Sequence, residues 1–267
     1  MSTIKELMNL TGRRALITGA TGGLGKVMVD TLAELGADLV LVDRPESDLK
    51  TLCTTLIERW GVNVEHYFCD LELQEKRSEL IDGLKKSDKG LNILINNAAF
   101  VGTSDLQGWV VPFEEQTVAT WRRALEVNLT AIFELCQGLT PMLRVADGGC
   151  IINIASIYGM FGPDWNIYEG TKMSNPAAYG ASKGGLLQFT RWLATTLAPN
   201  VRVNAISPGG IYRNQPESFV QRYEAKTPLG RMAKENDFCG AIAYLSSDLS
   251  QYVTGQNITI DGGWGCW

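Results

Sequence analysis

A chain of 267 residues that is 45% hydrophobic is long enough to bury a substantial core, and no stretch reads as a linker. Its formal net charge of −5, with both signs interspersed, leaves no basic stripe and argues against nucleic acid as a partner. No run approaches the roughly 20 apolar residues that span a bilayer, and the segment from Met1 to Leu7 lacks an apolar secretory core, so a cytoplasmic protein with no membrane partner is expected.

The first apolar run, Ala15-Leu16-Ile17, predicts a strand over 14–18. Thr18-Gly19-Ala20-Thr21-Gly22-Gly23-Leu24-Gly25 follows directly and opens a predicted helix over 23–36. Strand, glycine-rich turn and helix in that order suit a dinucleotide pyrophosphate. The phosphate must approach the backbone closely, and the free N–H groups and positive dipole end of the helix take up its charge. The next strand, over 38–43, ends in Asp43, at about the spacing where a carboxylate bonds the adenosine ribose hydroxyls. Asp43 would repel a 2′-phosphate, so NAD(H) is expected over NADP(H). The phosphorylated form stays open because Arg44 stands beside it, and a turn-forming aspartate at a strand end is the plainer alternative for Asp43.

Further along, strands are predicted over 62–69, 91–96, 149–155, 201–206 and 257–260, and helices over 46–60, 73–87, 117–143, 178–198 and 235–246. This alternation implies right-handed βαβ crossovers. The expected fold is α/β: a three-layer, doubly wound Rossmann fold with a seven-stranded parallel sheet, one domain over 1–267. Ligands in such sheets bind at the carboxyl ends of the strands. No internal repeat is present. Two stretches break the rhythm, near 157–178 and 211–234, and are expected as irregular substrate-loop insertions. The first carries Tyr158, Phe161, Trp165 and Tyr168. Such aromatics line a pocket or pad a subunit contact.

Six cysteines (Cys53, Cys69, Cys136, Cys150, Cys239 and Cys266) show no paired spacing, so neither a zinc site nor a disulfide framework is indicated and they read as small buried hydrophobes. His66 is the only histidine, which excludes mechanisms needing a histidine base plus histidine ligands.

Tyr179 and Lys183 lie four residues apart at the start of a predicted helix and project from one face. A free tyrosine, with a pKa near 10, is a poor base at neutral pH. A neighbouring ammonium, together with an oxidised nicotinamide ring, would stabilise the phenolate. Ser156 ends the preceding strand, where its hydroxyl could bond a substrate carbonyl.

With Thr18-Gly19, Gly23, Gly25, Asp43, Asp70-Leu71, Asn96-Asn97-Ala98-Ala99, Asn128, Ser156, Tyr179, Lys183 and Ser207-Pro208-Gly209 in place, the chain resembles the short-chain dehydrogenase/reductase family over nearly its full length. The resemblance implies that Tyr179 is the acid/base and that Ser156 polarises the carbonyl. It implies that Lys183 binds the nicotinamide ribose and lowers the tyrosine pKa, and that Asn128 holds a water linking Lys183 to solvent. An asparagine that merely bonds a neighbouring backbone is the alternative for Asn128. The implied cofactor contacts are Gly19, Thr21, Gly22, Gly23, Leu24, Gly25, Asp43 and Arg44; Asp70 and Leu71 at the adenine; Asn97, Ala98 and Ala99; Tyr179 and Lys183; and Pro208, Gly209, Gly210 and Ile211 over the nicotinamide.

Two features depart from the usual pattern. The segment between Ser156 and Tyr179 is long, placing Trp165 beside the catalytic pair. Arg213 replaces the threonine common after Pro208-Gly209. Its guanidinium would pair with the cofactor pyrophosphate or with an anionic substrate group, or would lie unpaired on the surface. Tyr158, Trp165 and Arg213, with Ser156, form the expected substrate set. The activity implied is NAD(H)-dependent interconversion of a secondary alcohol and a ketone, on a sugar or sugar-nucleotide type of substrate. The alternatives are a 3-oxoacyl thioester reductase, or a sugar dehydratase or epimerase that retains its nicotinamide. The resemblance further implies a homotetramer or homodimer, with Trp264 and Trp267 buried between subunits or over a neighbouring site.

Overall fold

Seven parallel strands form one sheet in the computed structural model, which describes residues 2–87, 89–101 and 106–267. They are β1 (Arg14–Thr18), β2 (Asp38–Asp43), β3 (Val64–Phe68), β4 (Ile93–Asn96), β5 (Cys150–Ile154), β6 (Arg202–Pro208) and β7 (Asn257–Ile260), in the order β3-β2-β1-β4-β5-β6-β7. The order reverses between β1 and β4, where the connections leave the sheet in opposite directions and open a crevice above the strand ends. The central strands are unbroken apolar runs because both faces are covered; every residue of β1, β4 and β5 is buried.

Successive residues point to opposite faces, which divides the core in two. On one face Leu16, Leu94 and Ile151 pack with α4 (Gln74–Lys86), α6 (Ala131–Val145) and α7 (Ala177–Leu197) through Leu80, Leu84, Leu135, Leu139 and Leu186. On the other, Ala15, Ile17, Ile93 and Ile152 meet Met28 and Leu32 of α2 (Gly23–Glu34), Leu56 of α3 (Leu49–Trp60) and Ile242 of α9 (Cys239–Ser246). The three-layer doubly wound Rossmann fold expected from the sequence is the fold observed. Among the described residues no helix is long and apolar enough to cross a membrane.

Several expectations need correction. The helix predicted over 117–143 is α5 (Val118–Leu125) and α6 joined by a π-helical turn over Glu126–Thr130. The stretch 211–234 is not wholly irregular, since it contains α8 (Glu217–Lys226), which starts after Pro216 and buries Phe219 and Tyr223 one turn apart. A short α1 (Ile4–Met8), held by a Thr3/Glu6 capping box, also lay outside the predicted elements. The segment after β5 forms two 3₁₀ turns, Ile157–Gly159 and Trp165–Tyr168. Cys53, Cys69, Cys136 and Cys150 are buried as expected, whereas Cys239 is half-buried and Cys266 exposed. Trp264 is buried within its own chain, stacked on Tyr223 with ring centroids 6.0 Å apart, because the C-terminal turn folds back over α8. Trp267 is exposed in the single chain.

Candidate active site

A cleft of about 710 Å³ opens above the carboxyl ends of the central strands, and the glycine-rich turn forms its floor. Gly19 has φ +66°, and a Cβ there would lie 2.9 Å from Ala98 Cα. The Asn97 side-chain amide donates to the carbonyls of Thr18 and Gly19, 2.9 Å each, and Thr18 Oγ accepts from the backbone N–H groups of Asn97 and Ala98. The segment after β4 is thereby clamped onto the turn. A Cβ on Gly25 would sit 2.0 Å from the Gly19 carbonyl oxygen, so only glycine allows α2 to start this close to the turn. Gly22, the residue capping α2, makes no side-chain cap, leaving the amides of the first helical turn to a ligand. These features fit the pyrophosphate of a dinucleotide.

Asp43, at the end of β2, also lines the cleft. Its carboxylate accepts from Thr21 N (2.8 Å), Thr21 Oγ (2.7 Å) and Arg44 N (2.8 Å), so it shapes the turn as well as presenting negative charge. Arg44 pairs with Glu46 at 3.0 Å on the open surface. Asp70, Leu71, Ala99, Pro208, Gly209 and Ile211 line the same cleft. Gly210 does not. It is turned toward α8, its N–H donating to the Tyr223 hydroxyl, and a Cβ there would strike that ring.

The reactive groups converge at the opposite end. Ser156, Tyr179 and Lys183 all line the cleft. Ser156 follows β5, with Oγ accepting from Tyr158 N at 3.2 Å, and Tyr179 and Lys183 lie one turn apart in α7. Lys183 is 2% exposed and donates from Nζ to the Ile154 carbonyl at 2.7 Å, with Nζ 5.8 Å from the centre of the Tyr179 ring. Burial pushes Lys183 down to about 8. Burial also raises the Tyr179 phenol above its ordinary value, opposed by hydrogen bonding with Ser156 and by the Arg213 charge. The expected lowering of Tyr179 by Lys183 is therefore not seen in the protein alone, because desolvation outweighs the attractions.

Asn128 is fully buried in the π-helical turn and is not part of the cleft wall. Its Oδ1 accepts from Phe100 N at 2.6 Å, and its Nδ2 donates to Phe100 O (3.3 Å) and Ser182 Oγ (3.1 Å). Its side chain thus ties the cleft-lining Phe100 to α7, which is the backbone-bonding alternative. Tyr158 and Trp165 line a second cavity, of about 700 Å³, instead of the first. Tyr158 shares a 2.6 Å hydroxyl contact with Tyr168, and burial raises the pKa of both. Arg213 lines the first cleft and is paired with Glu235, Nε to Oε1 at 3.3 Å, so it is neither free nor distant.

The sequence reading missed Phe100, Val127, Gln215 and the rim pair Glu72–Arg123, all of which line the cleft. Phe100 directly follows Asn97-Ala98-Ala99 and could have been found by extending that motif. Glu72 and Arg123 meet only through tertiary packing.

A doubly wound parallel sheet whose switch-point crevice holds a glycine-rich turn at one end and Ser, Tyr and Lys at the other defines a dinucleotide-dependent oxidoreductase. The chain belongs to the short-chain dehydrogenase/reductase family, whose profile, described as "Enoyl-(Acyl carrier protein) reductase", matches residues 19–265. Among curated relatives, a chloroplastic tropinone reductase homologue of Arabidopsis thaliana is 32% identical over 98% of this chain and 78% of its own length. A 3-oxoacyl-[acyl-carrier-protein] reductase of Aquifex aeolicus is 29% identical over 96% and 98%. Among solved structures, a gluconate 5-dehydrogenase from Burkholderia cenocepacia in complex with NADP and tartrate aligns with TM-score 0.86 and 27% identity over 99% and 100% of the two chains. An NAD⁺-bound xylitol dehydrogenase aligns with TM-score 0.83 and 29% identity over 95% and 99%. The protein is accordingly an NAD(P)-dependent oxidoreductase acting on CH–OH and carbonyl groups.

Proposed function

We propose that this enzyme interconverts a secondary alcohol and a ketone with NAD(H) in preference to NADP(H), Tyr179 serving as the acid/base. The observation that carries the reading is the meeting of Ser156, Tyr179 and buried Lys183 in the cleft that also holds the glycine-rich turn. A bound nicotinamide dinucleotide supplies or accepts the hydride. Ser156 and Tyr179 donate to the carbonyl oxygen, where negative charge builds, and losing one such donor typically costs about a hundred- to a thousandfold in rate. Lys183, held by the Ile154 carbonyl, keeps its charge beside the phenol and the ribose site below its lowered pKa of about 8. Asn128 fixes Phe100 against α7 and so sets the width of the cleft; a water held there for proton exchange belongs to the same proposal.

Asp43 supports NAD(H), because its carboxylate faces the adenosine end and Arg44 is drawn to Glu46. The neighbours named for gluconate and xylitol support a sugar-type substrate. A second reading, 3-oxoacyl thioester reduction, is favoured by the Aquifex relative and by the apolar side chains of Val110, Phe113, Phe161, Pro163 and Met173 in the second cavity. Cofactor absorbance, followed with a panel of polyols, ketoses and 3-oxoacyl thioesters, separates the two. Net oxidation or reduction of free NAD(H) by a polyol or ketose pair is expected. Turnover of thioesters alone would transfer the assignment to the second reading, and product formation without net cofactor change would favour a dehydratase or epimerase. A kcat/KM advantage for NADP(H) would overturn the cofactor preference.

A further inference from the structure

Glu235 and Arg213 stand over the start of α2, the place on the chain that must meet the pyrophosphate. A Cβ built on Gly23 would lie 2.8 Å from Glu235 Oε1 and 2.9 Å from Arg213 Nη2, so both side chains rest directly on the first helical residue. Arg213 leaves the strand-following loop after Ile211, where its N–H donates to Gln215 Oε1 at 2.7 Å, and both residues line the cleft. Glu235 begins the 3₁₀ turn Glu235–Phe238 that leads into α9. The first residue of α2 is therefore covered by a carboxylate from within the chain, with a guanidinium attached to it.

We propose that Glu235 is an internal stand-in for the pyrophosphate: it holds Arg213 over the glycine-rich turn in the free enzyme and hands the guanidinium to the phosphates when the dinucleotide enters. This rests on the dinucleotide reading of the cleft and decides between the two anionic partners open to Arg213, assigning it to the cofactor. Three physical points support the exchange. The pair is weak in its present form, at 3.3 Å with side chains 53% and 30% exposed, so little is lost when it opens. A phosphate matches the planar fork of arginine with two parallel hydrogen bonds, where Glu235 takes one long one. A carboxylate left beside the entering phosphates would repel them, so Glu235 must yield. The Arg213 charge also reaches Tyr179, where it opposes the effect of burial. Arg213 thus lies between the phosphate end and the reactive end of the cleft.

The sign of the Glu235 effect is the distinctive consequence. Removing the acidic partner of Arg213 beside the start of α2 should tighten binding, because the incoming phosphates no longer compete with an anion for the guanidinium. Calorimetric titration of the intact enzyme with NAD⁺, ADP-ribose and adenosine reads this without turnover. Arg213→Ala is expected to weaken NAD⁺ and ADP-ribose by roughly ten- to a hundredfold. Glu235→Gln is expected to tighten both by about two- to fivefold. Adenosine, which lacks the phosphates, should bind all variants alike. In the Arg213→Ala background Glu235 has lost its counter-charge, so Glu235→Gln should still tighten NAD⁺ and ADP-ribose there, by relief of repulsion alone. If the wild type binds NAD⁺ and Glu235→Gln binds it equally or more weakly, the exchange is refuted while the oxidoreductase reading stands. If the wild type binds neither NAD⁺ nor ADP-ribose, both fail together.

Discussion

The Tyr179–Lys183 pair sets the proton chemistry through two opposed effects of one buried site. Burial raises the phenol and lowers the ammonium to about 8, so at neutral pH the phenol holds its proton and the lysine its charge. Ketone reduction consumes the phenolic proton and is expected to run at a nearly constant kcat/KM from pH 6 to 7 and to decline as Lys183 loses its charge around pH 8. Alcohol oxidation needs that proton removed and should accelerate as pH rises; initial rates in both directions test the ordering, and an oxidation rate that falls with pH would contradict it. The same lysine has a stability signature. Its folded-state pKa lies below the ordinary 10.5, so the burial penalty is absent above that value and fully present below about 8. Wild-type enzyme should lose stability relative to Lys183→Met as pH falls from 10.5 to 8, with the difference levelling off below; denaturation midpoints across that range report it. Tyr179, Lys183 and Ser156 were legible in the sequence because helical spacing and a strand end place them with no tertiary knowledge. The Arg213–Glu235 pair was not, since twenty-one residues of intervening chain, including α8, bring its halves together.

At the scale of elements, the alternating strands and helices read clearly because strands covered on both faces are continuous apolar runs. α8 was hidden, its only buried marks being Phe219 and Tyr223 between proline- and glycine-rich stretches. The π-helical turn has no short-range signature, and Asn128 within it is tied to Phe100 across the fold. Replacing Asn128 by Ala leaves the Phe100 N–H without its partner and should cost about 1–3 kcal/mol of stability together with a loss of activity, measured by urea denaturation and initial rates. The glycine-rich turn is more demanding. Gly25→Ala drives a methyl group to 2.0 Å from the Gly19 carbonyl, so the turn must open. Loss of NAD⁺ binding in a protein that remains folded by circular dichroism is the expected outcome, and unchanged affinity would contradict the close approach.

Across the whole molecule, the sheet divides two apolar cores and leaves one open rim, where the cofactor cleft and the second cavity lie. Phe133 on α6 and Trp192 on α7 remain 44% and 57% exposed in the single chain. We propose that they are covered in the homodimer or homotetramer that the sequence reading expects through these helices. Phe133→Asp should lower the mass measured by light scattering, and an unchanged mass would contradict that placement. The most direct test of the account lies at Tyr179. Single-turnover reduction of a ketone by pre-bound NADH, compared between wild type and Tyr179→Phe, should show turnover reduced at least a hundredfold with NADH affinity retained. A variant that binds NADH and turns over at near wild-type rate would contradict the acid/base assignment on which the mechanism rests.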